Sequence, residues 1–335
     1  MRCQNCGSEN PDRHIYCDRC GAVIVKPFRI DETVVREPKQ ALMRAINKRN
    51  ESDYVMPVVL VFLPLVVGVV STIVSIAFQL TRALSPYASS VATSWQLTPG
   101  LGIVFFGSLL SDLIFAYVCY KFVKRANDHY ARERELRTAM ISLVRAATMT
   151  IDRQRVVEGD LMMMGLMNEL VERYRRPWFW AFAAAMPMLI LPIIGATFLL
   201  VNVQEDPFLL FGILLLTTFG IGFTSLILEL MMFSFLGSTM FDHDRRWNGF
   251  STAARTALSK LGFPSGKPFG ISRLPERSFG IYLLLSFVTA GIFFYYWLYT
   301  LAKDPNEHFR NQWTFEDNVL SSLGVVNWPG VRTTL

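Results

Sequence analysis

Four of the five cysteines of the chain fall in one pattern within the first 21 residues. Two Cys-x-x-Cys pairs are separated by ten residues, and a glycine (Gly7 or Gly21) follows each pair. Each pair can offer two thiolates to one ion from a tight turn, in which glycine supplies a positive φ. Four thiolates complete the tetrahedral shell of Zn²⁺ and leave no open position. The pattern therefore predicts a structural zinc site whose ligands are Cys3, Cys6, Cys17 and Cys20.

Three of the four histidines recur in similar surroundings. His129, His243 and His308 each lie beside an acid, shortly after an apolar run of the chain. A carboxylate orients an imidazole and tunes its pKa, so the three histidines could share a metal or proton site. They could also be a helix-capping or interfacial motif, because a histidine near the end of a helix suits the helix dipole. The second interpretation is the simpler one, and the sequence leaves both open.

The composition indicates a membrane protein. Hydrophobic residues make up 52% of the 335, and the mean hydropathy is +0.31. Five apolar runs each provide the roughly 20 residues that a spanning helix needs; they are 54–80, 101–120, 177–203, 207–236 and 279–302. The sequence therefore predicts an all-α polytopic membrane protein with about five transmembrane helices. A small β-rich zinc ribbon precedes them.

Two of the apolar runs each contain one acid. Asp112 falls near the middle of 101–120, and Glu229 lies within 207–236. An ionisable group at such a depth costs several kcal/mol and is therefore a functional candidate. The two acids could line a path for protons or cations. Alternatively, they could be protonated, or hydrogen-bonded between packed helices.

The number of lysine and arginine residues alternates between high and low in the segments that flank the apolar runs. They number ten in 1–53, one in 81–97, twelve in 121–176, none in 201–206 and seven in 237–278. Because basic loops stay in the cytoplasm, the cysteines and both long loops are predicted to be cytoplasmic, in a multi-pass protein of the cell membrane. A reducing cytoplasm favours a metal site over two disulfide bonds.

This topology also accounts for the net charge of +6 without a nucleic-acid partner. No interleaving of aromatic and basic residues supports the stacking of bases. We therefore expect the lipid bilayer and a cytosolic protein to be the partners, and nucleic acid to be an unlikely one.

Similar segments before and after the apolar runs indicate an internal duplication. The predicted units are a zinc ribbon, a linker with a short basic helix, two helix-pair repeats and a single-span segment with a polar tail, at 1–24, 25–50, 51–150, 151–262 and 263–335. Residues 22–40 show no helical period. Two cytoplasmic stretches, Asp128–Met149 and Leu161–Tyr174, have apolar residues at helical spacing and are expected to pack against the bundle.

The sequence does not decide on which side of the membrane the C-terminal tail lies. Only three basic residues follow the last run, which fits an external tail, whereas the repeat pattern places the tail inside. A hairpin folding at Gly291 would reconcile the two, but its halves of about 11 residues are too short to cross a bilayer.

Residues 277–307 contain the run Leu284-Leu-Ser-Phe-Val-Thr-Ala-Gly-Ile-Phe-Phe-Tyr-Tyr-Trp297 and then a polar exit. This run resembles the domain-of-unknown-function 4234 family, with departures at Phe293 and Phe294. The resemblance implies a prokaryotic membrane module and no activity. The cysteine pattern resembles the zinc-ribbon heads of many prokaryotic membrane proteins.

No motif of a hydrolase or of a phosphate-binding loop occurs in the sequence. The sequence therefore predicts a membrane-anchored adaptor or sensor without enzymatic activity, which binds a cytosolic partner through the ribbon. The alternative is a small transporter or channel with Asp112 and Glu229 in its path. A membrane enzyme that uses the histidine–acid pairs is a third hypothesis.

Overall fold

The computed structural model describes residues 2–3, 5–11, 17–21, 32–83, 99–149, 154–170, 172–190, 207–263 and 273–324. This part of the chain is mostly helical. Its α-helices are α1 Glu32–Asn47, α2 Arg49–Ser52, α3 Leu63–Ala83, α4 Pro99–Met149, α5 Gln154–Glu169, α6 Pro177–Ala185, α7 Pro207–Lys260, α8 Phe279–Val288 and α9 Ile292–Ser322. The 3-10 helices Val58–Phe62 and Met186–Leu189 precede α3 and follow α6.

Three helical stretches of the described part are long and apolar enough to cross a membrane: Val58–Thr81, Gly102–Met149 and Phe211–Lys260. Their apolar halves expose large side chains such as Ile73, Phe106 and Leu216, as lipid-facing helices do. Of the predicted third span, only residues 177–190 are described, as α6 and the 3-10 helix that follows it. Its remainder, 191–203, lies outside the described residues.

Helices α4 and α7 each continue beyond their apolar run as one unbroken helix, of 51 and 54 residues. The predicted amphipathic stretch Asp128–Met149 is therefore the second half of α4. Its apolar stripe is buried against α5 and α7, as predicted, and consists of Leu136, Met140, Leu143, Val144 and Ala147. The polar halves of α4 and α7 thus build a packed core on one side of the apolar region.

Helix α1 begins earlier than the sequence indicates. The stretch 22–40 was predicted to be a linker, but the helix starts at Glu32 and includes Pro38. Val35 and Leu42 are buried in the core that α4 forms, so tertiary packing outweighs the backbone hydrogen bond that Pro38 cannot make. Residues 22–31 lie outside the described part.

The last apolar run is not one continuous helix, contrary to the predicted single span within 263–335. Helix α8 ends at Val288, and α9 begins at Ile292. Between them, Ala290 and Gly291 adopt positive φ angles of 49° and 91°, which reverse the chain. Gly291 adopts this left-handed conformation without steric cost, and it ends the helix for that reason.

Candidate metal centre

The four N-terminal cysteines converge as predicted. Their sulfur atoms all lie within 4.8 Å of one another, and the pairs Cys3–Cys20 and Cys6–Cys17 are separated by 3.6 Å and 3.5 Å. Zn–S bonds of about 2.3 Å in a tetrahedron place two sulfurs about 3.8 Å apart. The four cysteines are thus close enough together to hold one metal ion.

Two tight turns position these sulfurs. The amides of Gly7 and Gly21 donate to the carbonyls of Cys3 and Cys17, over 2.9 Å and 2.8 Å. Both glycines have positive φ, 72° and 67°, as the sequence predicted. Arg2 and Glu9 form an antiparallel β-bridge in this region. Residues 12–16 lie outside the described part, so the β-rich ribbon stays a prediction.

Ser8 tunes this cluster. Its hydroxyl lies 3.0 Å from Cys17 Sγ and 3.1 Å from Cys6 Sγ. Hydrogen bonding to Ser8 is the main cause that lowers the pKa of Cys17 to about 5. The lowered pKa favours the thiolate of Cys17, which is the form that binds a metal.

The structure also brings the three predicted histidines together. His129, His243 and His308 surround one carboxylate, Glu133, and all four side chains are fully buried. We call these four residues the histidine centre. His129 and Glu133 lie one turn apart on α4, His243 lies on the polar half of α7, and His308 lies on α9. The centre therefore joins three helices that each also carry an apolar segment.

The Nε2 atoms of the histidines point toward one another and toward Glu133. The Nε2 atoms of His129 and His243 are 3.2 Å apart. Glu133 Oε2 lies 2.7 Å from Nε2 of His243, 3.4 Å from that of His129 and 3.9 Å from that of His308. Metal–ligand bonds of about 2.0–2.2 Å in a tetrahedron require ligand atoms about 3.3–3.6 Å apart. The measured distances scatter around that value.

The opposite ring nitrogen of each histidine contacts a carboxylate. The Nδ1 atoms of His129, His243 and His308 lie 3.0, 2.7 and 2.7 Å from oxygens of Asp53, Glu172 and Asp244. A carboxylate at Nδ1 keeps a proton there, so Nε2 is the atom of each neutral ring that a metal ion would use. Three Nε2 atoms and a carboxylate face one small volume, which positive charge stabilises, either as protons on the rings or as a bound metal ion.

The charges around the histidine centre also favour a cation. Six carboxylates and four guanidinium groups are linked through ion pairs and histidine contacts, so the carboxylates outnumber the guanidinium groups; they are Asp53, Glu133, Glu172, Asp244, Glu316 and Asp317, with Arg49, Arg132, Arg137 and Arg246. Burial lowers the pKa of His308, but Asp244 and Glu133 outweigh burial and raise the pKa to about 9. The surplus of carboxylates therefore favours positive charge at the centre, carried by the proton on His308 or by a bound metal ion that replaces this proton.

Pro305 and Arg125 position His308. Pro305 lies inside α9 and has no N–H for the Leu301 carbonyl four residues earlier. The buried guanidinium of Arg125 donates to that carbonyl instead. It also donates over 3.1 Å to Asn306, whose side chain pairs with the backbone of Met56. These bonds hold α9 at its proline, one turn before His308.

The two acids of the apolar runs lie apart from this centre. Among the described residues, no hydrogen bond or ion pair joins Asp112 to Glu229 or either acid to the histidine centre. Glu229 lies 3.0 Å from the hydroxyl of Ser225, which donates to the carbonyl of Ala183. Asp112 is half-buried on α4. The structure therefore does not place the five candidate polar residues in one site.

Sequence reasoning missed Glu133 and the carboxylates Asp53 and Glu172. A local signal existed for Glu133, because it follows His129 by four residues and shares its helix face. Asp53 and Glu172 come from distant segments, between α2 and the 3-10 helix and after α5. Nothing in the sequence pairs them with particular histidines.

Comparison with known families gives one match. Residues 277–326 match the family described as "Domain of unknown function (DUF4234)". The match confirms the C-terminal resemblance and covers the whole of α8 and α9, including His308. No curated protein and no solved structure matches the chain.

Proposed function

We propose that this protein is a multi-pass membrane protein whose polar helical bundle is assembled around a transition-metal ion held by the histidine centre. One observation carries the proposal. Three buried Nε2 atoms and Glu133 converge while each Nδ1 contacts its own carboxylate. Both oxygens of Glu133 and Nε2 of His308 are buried without a hydrogen bond of normal geometry, and a metal would satisfy them.

The donor set indicates the class of metal. Imidazole nitrogens suit Zn²⁺, Fe²⁺, Cu²⁺ and Ni²⁺, whereas Mg²⁺ and Ca²⁺ prefer oxygen ligands. Four protein ligands and complete burial leave no open position, which is typical of a structural site and not of a catalytic one. The ion would therefore fix the polar halves of α4, α7 and α9 relative to one another, and its loss would loosen them.

The cysteine cluster fits a second ion. We propose that Cys3, Cys6, Cys17 and Cys20 bind structural Zn²⁺ as a zinc ribbon, on the cytoplasmic side of the cell membrane. In this proposal the protein is an adaptor or sensor. The ribbon binds a cytosolic protein, and the helical bundle anchors the ribbon to the bilayer.

Metal analysis of the purified full-length protein tests both centres. We expect about two equivalents of metal in the wild type. Cys6→Ser should lose one equivalent, and His243→Gln should lose the other. Glu135→Gln is a matched control, because Glu135 lies exposed on α4, two residues from Glu133. One equivalent in the wild type, unchanged in His243→Gln, would mean that the histidine centre is an ion-pair cluster without metal.

A transporter or channel is the second candidate, and it rests on Asp112. This carboxylate is half-buried within an apolar run, and no hydrogen bond to it is found among the described residues. A transporter should lose ion flux in proteoliposomes when Asp112 is changed to asparagine. An adaptor should instead keep its copurifying partner in Asp112→Asn and lose it in Cys6→Ser.

A further inference from the structure

The chain reverses direction inside its last apolar run. We infer that Phe279–Ala302 is a re-entrant hairpin that enters only the leaflet adjoining the histidine centre. Its partner is the acyl chains of that leaflet. Residues 303–324 then lie on the same side of the membrane as the polar halves of α4 and α7. The inference depends on the membrane location and is independent of any bound metal.

An ion pair at the base of the hairpin carries this inference. Arg277 and Asp304 flank the two ends of the apolar run, and the guanidinium donates two hydrogen bonds to the carboxylate over 2.5 and 2.8 Å. As one straight helix, the run of 24 residues would be about 36 Å long and would hold these side chains on opposite sides of the bilayer. Because Arg277 and Asp304 are in contact, the start of α8 and residue 304 of α9 must lie on the same side of the membrane.

The turn satisfies its own backbone, as a turn within lipid must. The amide of Gly291 donates to the carbonyl of Ser286 over 2.7 Å, which closes the end of α8. The hydroxyl of Thr289 accepts from the amide of Phe293 over 2.9 Å, which caps the start of α9. The hydrogen bonds of Thr289 and Gly291 therefore allow the chain to reverse direction within the apolar region of the membrane.

Aromatic contacts give the depth of the hairpin. Phe294 packs against Phe233 and Phe115, with ring centroids 5.4 Å and 6.4 Å apart. Phe233 and Phe115 lie three and five residues before the ends of their apolar runs, so Phe294 lies roughly 5–8 Å inside the apolar region. Gly291, three residues nearer the tip, reaches roughly 10–12 Å, short of the middle of a core of about 30 Å.

The tip is apolar and exposed. Phe287, Val288 and Ile292 are 86%, 70% and 77% exposed. Such exposure of large apolar side chains is unfavourable in water. Because α9 packs beside the apolar halves of α4 and α7 through Phe294, the exposed tip continues the lipid-facing surface of those helices. Acyl chains of the near leaflet therefore cover it.

Two tags on the full-length protein test the topology. One epitope is added before Met1 and another after Leu335, and each is probed with antibody in sealed and in permeabilised cells. We expect both epitopes to be accessible under the same condition, because both termini lie on one side of the membrane. If one epitope is accessible in sealed cells and the other only after permeabilisation, the inference is overturned.

A charge exchange tests the contact at the base. Arg277→Asp and Asp304→Arg should each lower the thermal stability of the protein in detergent, and the double variant should recover most of the loss. Lys303→Glu with Glu307→Lys is a matched control, because this exposed pair lies within α9 and stays in contact in either topology. If the losses of thermal stability from Arg277→Asp and Asp304→Arg simply add in the double variant, while the double variant of the control pair recovers its stability, the hairpin is overturned.

A photo-crosslinking residue in place of Phe287 tests the partner of the tip. In lipid nanodiscs we expect adducts with phospholipid. A crosslinked dimer of the chain without lipid adducts would assign the tip to a second copy, and it would overturn the placement in the leaflet.

Discussion

The Nε2 atoms of His129 and His243 lie 3.2 Å apart, although 114 residues separate these histidines in the chain. Their Nδ1 atoms contact Asp53 and Glu172. Two imidazole nitrogens at this distance are held together by a shared proton or by a cation bound to both. Glu133, whose Oε2 is 2.7 Å from His243, adds a negative charge at the same point.

Glu133→Gln should weaken metal binding at the histidine centre while the histidines stay in place. The substitution keeps the shape of the side chain but removes the anionic ligand, and we expect the affinity to fall by at least about ten-fold. Competition with a chelator, followed by metal analysis, measures the change. Glu135→Gln, on the exposed face of the same helix, should retain the wild-type affinity.

Asp244→Asn should also weaken binding, although Asp244 is not a ligand. Its carboxylate holds Nδ1 of His308 over 2.7 Å and so directs Nε2 toward the centre. The loss of such a partner typically lowers metal affinity by about 10–100-fold. Asp242→Asn provides the control, because Asp242 is exposed one half-turn away. Equal affinities of the two variants would contradict the positioning role.

Arg125→Met should destabilise the bundle by roughly 1–3 kcal/mol, since it leaves the buried Leu301 carbonyl without a donor. Pro305→Ala restores an N–H that can reach this carbonyl. The double variant should therefore be more stable than the sum of the single changes predicts. Thermal unfolding of the wild type, the two single variants and the double variant in one detergent measures the three changes in stability. If the two single changes add up to the change in the double variant, Arg125 does not replace the missing N–H of Pro305.

Gly107→Ala should disturb the packing of α3 on α4. A Cβ atom at Gly107 would lie 2.2 Å from Cβ of Ser71, so one helix has to shift. Overpacking of this kind typically costs about 1–3 kcal/mol. Gly102→Ala, on the same helix with open space around its Cβ, should be tolerated. Adding Ser71→Gly should restore the stability of Gly107→Ala, as measured by thermal unfolding.

The tertiary contacts explain why part of the candidate site could be predicted and part could not. The cysteine cluster was predictable because its spacing is local, and the predicted turns at Gly7 and Gly21 are present. The buried stripe from Leu136 to Ala147 was predictable for the same reason. The helical start at Glu32 was missed, because burial of Val35 and Leu42 decides it.

The sequence by itself determined the cysteine pattern, the apolar segments, the amphipathic half of α4 and the C-terminal family match, because each depends on residues close together in the chain. Only the tertiary structure decided that three histidines meet Glu133, and that Arg277 meets Asp304. Apart from His129 and Glu133, which share one helix, these contacts join residues that are 27 to 175 positions apart in the chain. Helix packing sets such distances, and no local periodicity encodes them.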